Sequence, residues 1–221
     1  MNPIKIILVG ESTVGKTSII TQYIENRFEE EHLITTVSDK FPKDFKTKNG
    51  ETIKIEIWDT AGNEKFRAVN KIFMKNAKIA IIVYDITNED SFKNLEFWYK
   101  QVIENNNKNE MVFAIAGNKS DLYEEQKVTS DEGQNFAKSI NAIFGEISAM
   151  DHESVENFFD QIINTYYDKI KKEEEEKKKV EKKVEKKQES DNKDKFILDP
   201  VKSTSKNENE CCEWLKKWIP F

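Results

Sequence analysis

The apolar run Ile4-Lys5-Ile6-Ile7-Leu8-Val9 ends directly on Gly10-Glu11-Ser12-Thr13-Val14-Gly15-Lys16-Thr17, a complete Gly-x-x-x-x-Gly-Lys-Thr. A strand, a glycine turn and a helix in that order form the first half of a crossover unit, so the chain is committed to an α/β fold from its first twenty residues. Gly10 and Gly15 free the backbone to turn amide hydrogens inward onto phosphate oxygens. Lys16 reaches the β- and γ-phosphates as a point charge, and the Thr17 hydroxyl is placed for Mg²⁺. Ser12, Thr13, Val14 and Ser18 are the neighbouring candidates for contact with the same phosphates. The segment from Thr17 to Ile24 continues as a helix whose N-terminus adds positive potential. By average residue usage the pattern arises by chance in a chain of 221 residues on the order of once in a hundred. A phosphate site is the reading that survives.

Downstream, strand-like and helical patterns alternate. Strands are expected at 4–9, 40–46, 52–58, 79–84, 111–116 and 142–147, and helices at 15–24, 91–104, 130–138 and from Ser154 onward. This predicts a three-layer domain, a six-stranded mostly parallel sheet with helices on both faces. Asn49-Gly50 reads as a hairpin turn pairing the second and third strands antiparallel. The composition then changes. From Lys169 to Glu210, 26 of 42 residues are Lys, Asp or Glu, too few apolar side chains for a core. We expect a globular domain over 1–168, a charged helical extension over 169–190 supported by Glu-to-Lys pairs four residues apart, and a disordered tail over 191–221.

Residues 1–168 carry 19 basic against 28 acidic side chains, which argues against a nucleic-acid partner. Both cysteines, Cys211 and Cys212, lie in the tail, so no disulfide framework is expected. No signal peptide and no spanning apolar run is visible, and the expected setting is cytoplasmic.

Every further motif falls at the end of an expected strand, where open α/β sheets bind ligands. Gly117-Asn118-Lys119-Ser120-Asp121 follows the 111–116 strand. A carboxylate at Asp121 accepts from N1–H and the 2-amino group of guanine together, and adenine offers neither donor on that edge. Asn118 can tie the base loop to the phosphate loop, and the Lys119 stem can lie on one face of the ring. Asp59 ends the 52–58 strand and can hold Mg²⁺ through water. The Gly62 amide can meet the γ-phosphate and swing when it leaves. The guanine-reading residues disfavour a P-loop ATPase or small-molecule kinase.

With these motifs in place the sequence resembles the Ras superfamily of small GTPases, and within it most closely the Rab family. The resemblance covers residues 4 to about 168 and rests on Gly10–Thr17, Asp59–Gly62, Asn118–Asp121 and Ser148-Ala149, with Lys54–Trp58, Lys65–Arg67 and Ile82–Thr87 as its Rab-like segments. It implies that Phe28 flanks the guanine ring, that Ser148, Ala149 and Met150 form the second base loop with the Ala149 amide on the guanine O6, and that Phe41, Trp58 and Phe73 form an aromatic triad for effectors. It also implies a switch threonine on Mg²⁺. Counting from the phosphate loop favours Thr35; alignment on Phe41 and Asp59 favours Thr36, which we take because the strand fixes register better than the loop. The implied partners are GTP/GDP, effector proteins, an exchange factor and a GTPase-activating protein, with a monomeric chain cycling to the cytosolic face of an intracellular membrane in vesicle trafficking.

The chain departs from its relatives at two chemically telling positions. Asn63 stands where the family places a water-orienting glutamine, one methylene longer, and Ser12 stands where glycine is common. Asn63, with Lys16 and Gly62, is the expected catalytic set, and slow intrinsic hydrolysis follows from the shorter amide. A GTP-locked binding scaffold is the competing reading. At the C-terminus, Cys211 and Cys212 are candidates for lipidation. On a helix Trp214, Leu215, Trp218 and Ile219 share one face, suited to a membrane surface or to docking on protein.

Overall fold

The computed structural model describes residues 2–29, 35, 39–60 and 72–194, with 180–194 described through their backbone alone. Two compact units divide the chain, Met1–Glu173 and Glu174–Phe221. In the second unit the described residues, 174–194, are helical.

The elements run β1 Ile4–Val9, α1 Lys16–Glu25, β2 Lys40–Lys46, β3 Thr52–Trp58, β4 Ile79–Asp85, α2 Glu89–Lys93, α3 Leu95–Asn105, β5 Val112–Asn118, α4 Ser130–Ile140, β6 Ile143–Glu146 and α5 His152–Asp194. Short 3₁₀ turns at Lys108–Glu110 and Ser120–Glu125 fill the connections. The six strands form one sheet in the order β2-β3-β1-β4-β5-β6. All neighbours are parallel except β2 and β3, which pair antiparallel from Lys40 opposite Trp58 to Lys46 opposite Thr52. Gly50 at φ 82° closes the hairpin between them.

Strand alternation sends successive side chains to opposite faces, and both faces are covered. On one, Ile6, Leu8, Ile55, Ile57 and Ile81 meet α1 and α5 through Ile19, Ile20, Ile162 and Ile163. Tyr23 of α1 stacks on Phe159 of α5 with ring centroids 4.0 Å apart. On the other, Ile7, Val9, Ile82 and Tyr84 meet Leu95, Trp98 and Val102 of α3 and Ala137 of α4. Every residue of β4 is buried, as a central parallel strand between two helical layers requires. Each isoleucine so enclosed contributes about 1.5–3 kcal/mol.

The single helix expected over 91–104 is two helices. Asn88 caps the first, its Oδ1 accepting from the amides of Asp90 (3.0 Å) and Ser91 (3.3 Å). Ser91 then turns inward, accepting from the Asp85 amide at 3.0 Å, and the helix breaks at Asn94, where α3 begins. The α4 N-terminus carries a full capping box between Thr129 and Glu132.

Within the first unit α5 is pinned to the sheet by Lys169, whose Nζ donates to the carbonyls of Asn109 (2.6 Å) and Met111 (3.0 Å) just ahead of β5. Among the described residues no helix is long and apolar enough to cross a membrane.

Candidate nucleotide site

The loops at the carboxyl ends of β1, β3, β5 and β6 converge on one edge of the sheet. Between β1 and α1 the backbone takes positive φ at Gly10 (149°), Thr13 (66°) and Gly15 (93°). A Cβ at Gly10 would strike the Val83 carbonyl of β4, and one at Gly15 would strike Nδ2 of Asn118. The loop is therefore pressed against two strands and has no room for side chains at its glycines.

Lys16 is buried, and its Nζ donates to the carbonyls of Gly10 (3.0 Å) and Glu11 (2.7 Å). Burial pushes its ammonium down to about 8, and the carboxylates of Asp59 and Glu11 pull in the opposite direction. An ammonium folded onto loop carbonyls and stripped of water suits phosphate oxygens.

Beside it, Thr17 Oγ1 donates to Asp59 Oδ2 at 2.6 Å and lies 2.7 Å from Thr35 Oγ1, itself 3.5 Å from the same carboxylate oxygen. Asp59 is 2% exposed, and its Oδ1 is buried without a hydrogen-bond partner among the described residues. Burial raises its pKa above the usual carboxylate range. Two hydroxyls and an under-satisfied carboxylate form a hard-oxygen donor set, which fits Mg²⁺. Among the described residues no three His, Cys, Asp or Glu side chains cluster as a metal site. The expected switch threonine was Thr36. The structure puts the Thr35 hydroxyl at this donor set, and Thr36 lies outside the described residues.

Asn118 closes the base end. Its Nδ2 donates to the Val14 carbonyl at 2.8 Å, tying the base loop to the phosphate loop, and its Oδ1 accepts from the Ala149 amide at 3.1 Å. The Ala149 amide, expected on the base, is thus directed to Asn118. Ser148 Oγ donates to Asp121 and accepts from the Met150 amide at 3.1 Å, which orients the Asp121 carboxylate. Lys119 takes φ 68°, and its Nζ pairs with Asp85 Oδ2 at 2.5 Å. Asp85 Oδ1 also accepts from the amide and hydroxyl of Thr87, at 2.8 and 2.7 Å. Nothing in residue spacing announced Asp85 as the group that holds Lys119. Phe28 is half-buried against the α1/α5 core. Ser18 is buried, Ser12 half-buried and Thr13 exposed.

The aromatic triad is divided. Trp58 and Phe73 meet at 5.7 Å between centroids, whereas Phe41 packs against the α1/α5 core and Trp58 against the opposite core. Phe41 pairs with Ile57 across the ladder, so Trp58, one residue on, must face the other way. Lys5 Nζ lies 4.3 Å from the centre of the Trp58 ring, and Lys40 Nζ 5.9 Å. A bond from Trp98 Nε1 to Glu11 Oε1 at 3.2 Å, joining α3 to the phosphate loop, had no sequence signal at all. Gly62, Asn63, Cys211 and Cys212 lie outside the described residues, as does the aromatic C-terminal segment.

Comparison with known proteins adds an independent line. The model of the Ras family matches residues 5–168. The Ras-related protein Rab-21 of Bos taurus and that of Homo sapiens are each 39% identical over 155 residues, spanning 70% of this chain and 69% and 68% of their own. The Rab-21 of Mus musculus is 38% identical over the same length.

Proposed function

Since the chain belongs to the Ras family, and so is a GTPase that binds GTP and GDP with Mg²⁺, we propose that it is a Rab-like switch of vesicle trafficking whose own hydrolysis is slow and whose GTP form recruits effectors. The observation that carries the reading is the Thr35 hydroxyl beside Thr17 and Asp59: a residue between α1 and β2 reaches the candidate metal site, which is what makes that segment responsive to the state of the nucleotide.

In this reading Thr17, Thr35 and Asp59 hold Mg²⁺, which when bound neutralises charge on the phosphate oxygens. Lys16 adds a second positive charge on the same phosphates from a dry position, where it interacts more strongly than in water. Asp121, held by Ser148, selects guanine, and Lys119, held by Asp85, supports the ring. Asn63 orients the attacking water, and as it is one methylene short of the family's glutamine it does so less well. An activating partner then dominates the rate.

The proposed organisation is a switch domain over 1–168, a charged helical spacer over 169–190 and a tail over 191–221 that touches the cytosolic face of a membrane. Cys211 and Cys212 with the Trp214–Ile219 face supply the two signals that stable anchoring takes.

Single-turnover hydrolysis in Mg²⁺, with chromatography of the nucleotide carried by freshly purified protein, tests the proposal. Parent protein should convert bound GTP to GDP slowly, and Asn63→Gln should be faster. No acceleration in that variant would sink the slow-hydrolysis reading. Mass spectrometry of the C-terminal peptide from native cells tests the anchor, since unmodified cysteines remove it.

A further inference from the structure

A carboxylate inside a loop that receives phosphates is electrostatically misplaced, and Glu11, the second residue of Gly10–Thr17, is such a carboxylate. The structure gives it a specific resting place. Its Oε1 accepts from the indole Nε1–H of Trp98 at 3.2 Å, across 87 residues of sequence. Trp98 is 2% exposed, and its ring is part of the core between the sheet and α3. A packed indole has no freedom to follow a moving loop, so its N–H is a fixed point.

The main chain of the same residue does a second task. The Glu11 carbonyl accepts from Lys16 Nζ at 2.7 Å, the shorter of the two bonds that seat that ammonium. Glu11 itself is half-buried and lies between Gly10 and Thr13, both at positive φ, in a stretch that helix or sheet hydrogen bonding does not fix. Holding its side chain therefore also fixes where its carbonyl stands.

We infer that Trp98 is a positioning residue for the nucleotide phosphates: its indole N–H keeps the Glu11 carboxylate turned onto α3 and thereby keeps the Glu11 carbonyl in place to seat the Lys16 ammonium. The inference rests on the reading of Gly10–Thr17 as the phosphate loop. Choice of base belongs to Asn118, Asp121 and Lys119, so loss of the Trp98 bond falls on phosphate holding and leaves base preference alone.

The test uses the full chain loaded with fluorescent GDP. Trp98→Phe keeps an aromatic ring in the core and removes the donor; GDP release should rise roughly ten-fold, the effect of deleting a hydrogen bond to a charged group. The ratio of GDP to inosine diphosphate affinities, which reads Asp121, should not move. In a Glu11→Ala background Trp98→Phe should change release by less than about two-fold, whereas Glu11→Gln, which keeps an acceptor oxygen, should preserve most of the Trp98→Phe effect. Should Trp98→Phe not fold, faster release from Glu11→Ala than from Glu11→Gln reports the same couple. Release from Trp98→Phe at the parent rate, or an effect undiminished in Glu11→Ala, overturns the inference and leaves Trp98 a packing residue. A parent chain that retains no GDP overturns the phosphate-loop reading together with it.

Discussion

A methyl group on Gly15 would land on the side-chain amide of Asn118, the same nitrogen that donates to the Val14 carbonyl. The phosphate loop and the base loop thus share one contact, and a residue from each sets the distance between them. Gly15 also sits at φ 93°, where an L side chain costs about 1–2 kcal/mol. Gly15→Ala should combine that strain with a displaced Asn118 and weaken GDP binding about 100-fold, measured by equilibrium titration with a fluorescent nucleotide.

Ser148→Ala removes a hydrogen bond to the Asp121 carboxylate and the acceptor of the Met150 amide. Bonds to charged groups contribute about 1.5–3 kcal/mol, so GDP affinity should fall roughly ten-fold or more. Discrimination against inosine nucleotides should narrow with it, because a freed Asp121 loses its fixed aim; competition binding of GDP against inosine diphosphate reads both.

Thr35→Ala should raise the Mg²⁺ concentration needed to retain GTP about tenfold, and by more than Thr36→Ala does. Magnesium titration of nucleotide release decides between the two threonines, and a larger effect of Thr36→Ala would return the ligand to the position expected from strand register.

Lys16 gives a pH dependence of definite sign. Burial lowers its pKa from the ordinary 10.5 to about 8, so between those values the unfolded chain keeps a proton that the native one has released. Stability of protein stripped of nucleotide should therefore rise with pH from about 8 to 10.5, with a contribution from this group approaching about 1.4 kcal/mol per pH unit. Lys5 and Lys43, also lowered by burial, push in the same direction. Lys16→Met should flatten the rise relative to parent in urea unfolding at pH 7.5 and 9.5; identical slopes in the two proteins refute the assignment.

Much of the frame was legible in the chain. The bounds of β1, β2 and β3 coincide with the sequence reading because each is set by local chemistry: Gly10 after β1, and Asn49-Gly50 between two strands of matched alternation. Asn118 as the tie between two loops was legible because its place at a strand end defines a task. What escaped depends on contacts that leave no periodic trace. Asp85 finds Lys119 only once β4 and β5 lie side by side, and Trp98 finds Glu11 only once α3 packs over the sheet. Phe41 was grouped with Trp58 by family likeness, while the strand period assigns them to opposite faces. The Thr35 hydroxyl meets Thr17 only through the segment between α1 and β2, which carries no period of its own. The break at Asn94 was hidden inside a helical period that both of its flanks satisfy.

Lys169 makes the C-terminal helix a strut. Its ammonium grips the carbonyls of Asn109 and Met111 at the foot of β5, and the other end of that strand is Asn118. Tension drawn along residues 152–173 enters the sheet at that foot, about 20 Å of stiff strand from the base loop. Load entering there runs along β5 to Asn118, and through Asn118 to the Val14 carbonyl of the phosphate loop.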